Sequence, residues 1–156
     1  GIAPIPQYLK EGISVSLGAD GAPCNNNLSI FNEMRLASLI QKPIHGAKVL
    51  DSKTIFRMAT IEGAKALHMH DEVGSIEVGK KADLVLIDLD SYSNNYSDSD
   101  ESVYSDIVFS SNQQNVKCVM INGEWKVIEN QSSIYAENQI MAEGKQELGK
   151  LLKKIK

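Results

Sequence analysis

The sequence contains few cysteines: only Cys24 and Cys118 occur among its 156 residues. They are far apart in the chain and lack the paired spacing of metal-binding motifs. We therefore interpret both as reduced thiols of a cytoplasmic protein. Cys24 has no histidine near it in the sequence, and a thiol nucleophile would need such a base.

Long apolar runs and an excess of basic residues are also missing. No apolar run approaches the roughly 18 residues of a membrane-spanning helix, so we expect no membrane partner. The formal net charge is −4 and lysines cluster only near the end of the chain, so we expect no nucleic-acid partner. The chain lacks an initiating Met and starts with Gly1-Ile2-Ala3-Pro4, which is typical of the middle of a domain. We expect a fragment of a longer protein.

The stretch over residues 12–41 carries the most information. The apolar residues 13–17 predict a buried strand, and the helical spacing from Leu28 onwards predicts a helix over residues 28–41. Asp20 lies at the carboxyl end of the predicted strand, which is where catalytic groups lie in a parallel α/β barrel. Asp20 is therefore the candidate catalytic residue. On spacing alone, an ordinary Asp-Gly turn is the favoured alternative.

Three consecutive asparagines follow Asp20 in the same loop: Asn25, Asn26 and Asn27. Asn27 could cap a helix that starts at Leu28. Alternatively, all three could line a polar site beside Asp20. Both interpretations stay open.

His68 and His70 form a His-x-His pair, a spacing often found at metal sites. Such a pair chelates on a strand, where alternate side chains share a face. Here it falls at the end of a predicted helix, so we expect no metal site there.

The rest of the chain alternates between helical and strand-like segments. Pro43 should end the helix that precedes it, and Asn122-Gly123 predicts a tight hairpin. Residues 91–102 are rich in Ser, Asn and Asp and predict a solvated loop, while residues 103–110 could be a helical turn or a strand. We also predict helices over residues 4–12, 53–69 and 133–156, with Asp51 or Ser52 as the cap of the second, and strands over residues 73–79, 82–89, Val116–Ile121 and Glu124–Ile128. The continuous apolarity of the strand over 82–89 predicts that both of its faces are covered.

Two separated segments resemble the amidohydrolase superfamily. Residues 18–26 (GADGAPCNN) with residues 33–37 (EMRLA) resemble the last-strand motif of its aminohydrolase branch, which includes methylthioadenosine/S-adenosylhomocysteine deaminases and triazine chlorohydrolases. Residues 64–67 (AKAL) with residues 74–85 (GSIEVGKKADLV) are similar to the superfamily's return from barrel to β-sandwich. Residues 119–123 (VMING) are similar to the superfamily's terminal hairpin, and residues 1–4 (GIAP) resemble the residues just after its seventh barrel strand.

The resemblance implies a divided α/β architecture. Residues 1–72 would be the C-terminal end of a (β/α)8 metallo-hydrolase barrel. Residues 73–132 would be strands of a small composite β-sandwich, and residues 133–156 a C-terminal helix. Such proteins are commonly homo-oligomers.

The resemblance also implies zinc chemistry with Asp20 as a metal ligand and catalytic residue. The other ligands of the family, a His-x-His pair and a further His, would lie upstream of Gly1, so we expect this chain alone to be inactive. Metal-activated water would deaminate a small amino-substituted nitrogen heterocycle, such as a purine nucleoside. Ala19 departs from the family, where Thr is common.

Three alternatives remain open. The whole protein could hydrolyse another bond, such as a ring chloride or a cyclic amide. The chain could be a non-catalytic fragment or scaffold domain. It could also be an unrelated α/β binding module in which Asp20 is only a turn residue.

Overall fold

The computed structural model describes residues 1–90, Asn94 and residues 99–155. Its helices and strands follow one another as α1 (Ile5–Lys10), α2 (Ile30–His45), α3 (Ser52–Met58), α4 (Ile61–Ala66), β1 (Leu84–Ile87), α5 (Asp100–Ser105), β2 (Val116–Ile121), β3 (Glu124–Ile128), β4 (Gln131–Ser132) and α6 (Glu137–Ile155). A π-helical turn (Asp106–Ser110) and a 3-10 turn (Gln113–Asn115) connect α5 to β2. The solvated loop predicted over residues 91–102 lies mostly outside the described residues.

The strands form one antiparallel sheet in the order β1-β2-β3-β4. Asn122 and Gly123 connect β2 to β3 with φ values of 50° and 81°, as a two-residue type I′ turn requires. The predicted hairpin is therefore confirmed.

Two of the predicted strands differ from the structure, one because it is shorter and the other because that segment is not a strand. The strand predicted over residues 82–89 shortens to β1, and its Val85 and Leu86 are 55% and 59% exposed. The prediction that both of its faces are covered is wrong, because the described residues place no second layer over these side chains. The strand predicted over residues 73–79 is also wrong. Glycines at positive φ bend the chain there, and a bond from Lys81 N–H to the Glu72 carbonyl at 2.8 Å closes it into a loop.

The hydrophobic core lies between α2, α3 and the π-helical turn. Ile55 and Met58 of α3 and Val108 of the turn are almost completely buried. Phe31, Met34, Leu50 and Ile107 complete the buried cluster. The ambiguous residues 103–110 are thus helical, and their buried side chains form one wall of the core.

The helix predicted over residues 53–69 is two helices, because the chain breaks between α3 and α4. Thr60 has non-helical backbone angles (φ −126°, ψ −99°). Its hydroxyl donates to the Phe56 carbonyl at 2.9 Å, a local bond that competes with the helical pattern. Asp51 caps α3 as predicted, accepting a hydrogen bond from the Thr54 N–H at 2.7 Å.

The prediction that Pro43 ends α2 is wrong, since the helix continues to His45. Pro43 lies in the last turn, where its missing N–H deprives only the Leu39 carbonyl of a partner. The helix ends instead at Gly46, whose φ is 92° and whose N–H bonds the Lys42 carbonyl. None of the described helices combines the length and the apolarity needed to cross a membrane.

Candidate functional site

The segment that leads to Asp20 is irregular rather than a strand. Residues 13–17 make no ladder with another strand of the described chain, and the Leu17 N–H bonds the Met58 carbonyl at 3.1 Å. Val15 and Leu17 pack against the core, whereas Ile13 is 52% exposed. The strand prediction is wrong for this chain because a strand exists only where a neighbouring strand pairs with it.

Asp20 lies exposed at the end of this segment, directly before a turn over residues 22–24. Its φ is 60°, a left-handed conformation that Asp tolerates better than most residues. The Gly21 N–H donates to Asp20 Oδ1 at 2.7 Å. One carboxylate oxygen therefore bonds the adjacent backbone, and Asp20 as a whole remains exposed to solvent. Turn chemistry and a ligand role are both compatible with this geometry.

A side-chain hydrogen bond ties the loop after Asp20 to α2. Asn25 Nδ2 donates to Glu33 Oε1 at 2.7 Å, and Asn25 Oδ1 accepts from the Asn27 N–H at 3.1 Å. The N–H groups of Cys24 and Asn25 also bond the Gly21 carbonyl, at 2.9 and 3.0 Å. The loop therefore has a defined shape with Asn25 at its base. Sequence reasoning missed this role of Glu33, although an acidic residue in the first turn of a helix is a recognisable signal.

The other two asparagines have different surroundings. Asn26 and Asn27 are exposed on the same loop. Asn27 does not cap α2, because Leu28 adopts a φ of 46° and the helix starts only after Ser29. The capping interpretation of Asn27 is therefore wrong, and both side chains are available to a ligand.

A cleft of about 280 Å³ opens beside residues 12–15, lined also by Arg57 and Glu62. Glu62 pairs there with Arg57 at 2.8 Å and with Lys65 at 3.1 Å. Burial acts to raise the pKa of the Glu62 carboxyl, but the hydrogen bonds from Lys65 and Arg57 outweigh it and leave that pKa below its ordinary value. Asp20 does not line this cleft.

The described residues do not form a metal site by themselves. His68 and His70 are exposed, and His70 Nε2 lies 3.8 Å from Asp71 Oδ1. No group of three His, Cys, Asp or Glu side chains that could hold a metal lies within residues 1–90, 94 and 99–155. The exposed Asp20 carboxylate fits zinc as one oxygen donor. A complete zinc site would need donors from beyond the described residues.

The chain is similar in sequence to proteins of known function. The amidohydrolase family matches residues 1–126. The chain is 37% identical over 142 residues to the 5-methylthioadenosine/S-adenosylhomocysteine deaminase of Thermodesulfovibrio yellowstonii, a match that covers 90% of this chain and 32% of that protein. The chain therefore spans about a third of the length of the curated relatives it matches.

Solved structures with bound zinc are similar in fold. An adenosine deaminase from Xanthomonas campestris matches 98% of this chain and 34% of its own at a TM-score of 0.92 and 30% identity. Atrazine chlorohydrolase from Arthrobacter aurescens TC1 matches 92% of this chain and 31% of its own at a TM-score of 0.80 and 27% identity.

Proposed function

The chain belongs to the amidohydrolase family, and from that membership we propose that it is the C-terminal part of a metal-dependent deaminase of an amino-substituted nitrogen heterocycle. The observation that carries the proposal is the close likeness of nearly the whole chain to a zinc-bound adenosine deaminase. The family match includes Asp20 and the loop after it. A purine nucleoside derivative is the substrate class that the names of the relatives favour.

Asp20 is the chain's contribution to the metal site and to proton transfer. The Gly21 N–H holds one carboxylate oxygen and so fixes the direction of the side chain. Zinc, when bound, would supply water of lowered pKa at neutral pH. The Asp20 carboxylate would accept a proton from that water and deliver it to the amine nitrogen that leaves as ammonia.

The loop after Asp20 would position the carboxylate and face the substrate. The bond between Asn25 and Glu33 fastens the loop to α2, so that Asp20 keeps its place relative to the rest of the chain. Asn26 and Asn27 are exposed beside it and offer amide groups that can both donate and accept hydrogen bonds. This pairing of donors and acceptors suits the ring nitrogens of a heterocycle.

The architecture proposed for the whole protein follows the same family pattern. Residues 1–72 would close a (β/α)8 barrel, residues 73–132 would supply strands of a composite β-sandwich, and residues 133–156 a terminal helix. The antiparallel sheet β1-β2-β3-β4 supports the second part. Cys24 and Cys118 are both free thiols, which supports a reducing, cytoplasmic location.

Hydrolysis of a ring chloride is the second candidate function. The observation that favours it is the likeness of the chain to a zinc-bound atrazine chlorohydrolase. The two reactions release different products, ammonia and chloride, and one assay can therefore distinguish them.

A hybrid enzyme tests the proposal. In the Xanthomonas adenosine deaminase, the matched C-terminal third would be replaced by this chain, and the hybrid assayed with adenosine, 5-methylthioadenosine and atrazine. We expect a zinc-containing hybrid that releases ammonia. Asp20→Asn should lower the rate by about 10²-fold or more, because proton transfer by a positioned side chain contributes about 10²–10⁴-fold.

The matched control is Asp71→Asn, which removes the charge of an exposed aspartate in a different loop and should leave the rate unchanged. Equal activity of the two variants would contradict the role of Asp20. Chloride release without ammonia would favour the second candidate.

A further inference from the structure

The loop that follows the candidate catalytic residue is fastened to the body of the chain by a side chain. Residues 20–28 are exposed apart from Asn25, which is half-buried. Within the described residues, the backbone hydrogen bonds of this loop stay inside it, since the N–H groups of Cys24 and Asn25 both donate to the Gly21 carbonyl. The bond from Asn25 Nδ2 to Glu33 Oε1 at 2.7 Å therefore joins the loop to α2.

Asn25 fits its two neighbours in one orientation only. An ionised carboxylate such as that of Glu33 accepts hydrogen bonds and cannot donate, whereas the Asn27 N–H only donates. Asn25 donates to the first through Nδ2 at 2.7 Å and accepts from the second through Oδ1 at 3.1 Å. An aspartate at this position would set one acceptor against another. Glu33 thus requires an amide side chain at position 25.

Glu33 lies on a well-packed part of α2. Its neighbours Phe31 and Met34 belong to the hydrophobic core and are 8% and 3% exposed. The Glu33 N–H donates to the Ser29 carbonyl at 3.2 Å, at the start of the helix. Glu33 is itself half-buried. A side chain fixed in this way can hold an otherwise exposed loop in one place.

Gly21 connects the fastened part of the loop to Asp20. Its carbonyl accepts from the N–H groups of Cys24 and Asn25 at 2.9 and 3.0 Å, and its own N–H donates to Asp20 Oδ1 at 2.7 Å. We propose that Glu33 is a positioning residue for the deamination: by holding Asn25, it fixes the loop that sets the direction of the Asp20 carboxylate. This role rests on the proposed function, because it acts on proton transfer by Asp20.

A second role is open to an acid at this place. Glu33 lies in the first turn of α2, where a negative charge stabilises the positive end of the helix. Stabilising the helix end needs the charge, whereas holding Asn25 needs an acceptor at the end of a side chain of this length. Glu33→Gln keeps the acceptor and loses the charge, and Glu33→Asp keeps the charge on a shorter side chain.

The hybrid deaminase proposed above, with the complete chain in place, separates these roles. Its kcat is measured as ammonia release per bound zinc. Glu33→Gln should keep kcat within about twofold, because a neutral acceptor maintains the hydrogen bond. Glu33→Asp and Glu33→Ala should each lower kcat about tenfold or more, since misplacing a reacting group by about 1 Å can cost about 10²-fold. Loss of activity in Glu33→Gln with activity kept in Glu33→Asp would overturn the proposal.

A double variant tests whether Glu33 acts through Asp20. Added to Asp20→Asn, Glu33→Ala should lower the rate no further, because a group that acts only through another has no effect once the other is lost. The effects of the two changes should therefore be strongly non-additive. A further loss as large as that of Glu33→Ala alone would overturn the proposal and assign Glu33 to another function of the loop.

Exchange of donor and acceptor tests the bond itself. Asn25→Asp should lower kcat about tenfold, because two negative charges then face each other. Adding Glu33→Gln to this variant should restore kcat to within about threefold, since the new amide donates to the new carboxylate. If the second change restores no activity, direct contact between the two side chains is refuted and the proposal with it.

The matched control is Glu137→Ala, which removes an exposed acid from the first turn of α6 and should leave kcat unchanged. Circular dichroism of each variant shows whether the fold is kept. An unaltered hybrid without ammonia release would contradict the proposed function and this role of Glu33 together. An active unaltered hybrid whose kcat is insensitive to Glu33→Ala would overturn this role alone.

Discussion

Two glycines of the segment that resembles the superfamily have different physical functions. Gly74 and Gly79 both have positive φ, 93° and 95°. A Cβ atom on Gly74 would lie 2.7 Å from the Ala64 Cβ and 3.1 Å from the Ile61 Cα. A Cβ on Gly79 would meet nothing within 4 Å. Gly74 is thus required by close packing against α4 as well as by the backbone, and Gly79 by the backbone alone.

Alanine substitutions should separate these two requirements. Gly79→Ala should lower the free energy of unfolding by about 1–2 kcal/mol, the strain of a left-handed residue with a side chain. Gly74→Ala should lower it by about 2–4 kcal/mol, because overpacking adds to the same strain. Urea unfolding of both variants measures the difference. Equal losses would show that the contact with α4 relaxes without effect.

The geometry of Asp20 was predictable from the sequence in part. Asp-Gly after an apolar run predicts a turn in which the carboxylate bonds the backbone, and Asp20 Oδ1 does so. The bond between Asn25 and Glu33 was not predictable, because it depends on α2 starting after Ser29 rather than at Leu28. Local chemistry determines the turn, whereas the fastening of the loop depends on where the next helix begins.

Among the helices, α3 has a side-chain hydrogen bond that caps its first turn, whereas α2 has none. Asp51 caps α3 through the Thr54 N–H. Ser29 precedes α2 without a side-chain capping bond, and its hydroxyl is buried with no hydrogen-bond partner among the described residues. One cap stabilises its helix, and the other position carries an unsatisfied polar group.

Alanine at the two positions should therefore act in opposite directions. Asp51→Ala should destabilise the chain by about 1 kcal/mol, the usual effect of losing a cap, and Asp51→Asn should largely preserve stability. Ser29→Ala should be neutral or stabilising, because it removes a buried hydroxyl that bonds nothing. Thermal unfolding of the three variants checks this order. A loss at Ser29 as large as that at Asp51 would contradict it.

The elements that the sequence predicted correctly are those with local signals. The hairpin at Asn122-Gly123, the short helix α1 and the cap of α3 each depend on residues next to one another. Residues 13–17 are extended but unpaired, since a strand needs a neighbour from elsewhere in the protein. The break at Thr60 accompanies a hydrogen bond from its hydroxyl to the Phe56 carbonyl, and helix propensity alone does not predict that bond.

The described part of the chain exposes apolar surface that stable monomeric proteins usually bury. Besides its core face, α2 carries a second apolar row with Leu36 and Ile44 at 55% and 62% exposure. Leu39 belongs to the same row. Large apolar patches of this kind usually mark an interface. The proposed remainder of the barrel would cover this row.

Assembly with that remainder should depend on the second row of α2. When this chain is co-expressed with the other two thirds of the Xanthomonas deaminase, the pair should copurify, and Leu36→Lys/Leu39→Lys should reduce the yield of the pair at least tenfold. The same variant should leave the stability of the chain alone within about 0.5 kcal/mol, as is usual for exposed positions.

Gln113→Lys, an exposed change in the 3-10 turn, is the control for added charge and should not affect copurification. Retention of the pair by the leucine double variant would show that the row faces solvent in the longer protein.

The order of the strands in the sheet has a consequence for how the chain is made. β2 and β3 meet through a two-residue turn, whereas β1 pairs with β2 across the whole stretch between Ile87 and Val116. Hairpins close within microseconds, and distant pairings require the slower closure of a long loop. During synthesis β1 leaves the ribosome before its partner exists. The strand β1 therefore remains unpaired, with its apolar residues exposed, until β2 and β3 have been synthesised and their hairpin has formed.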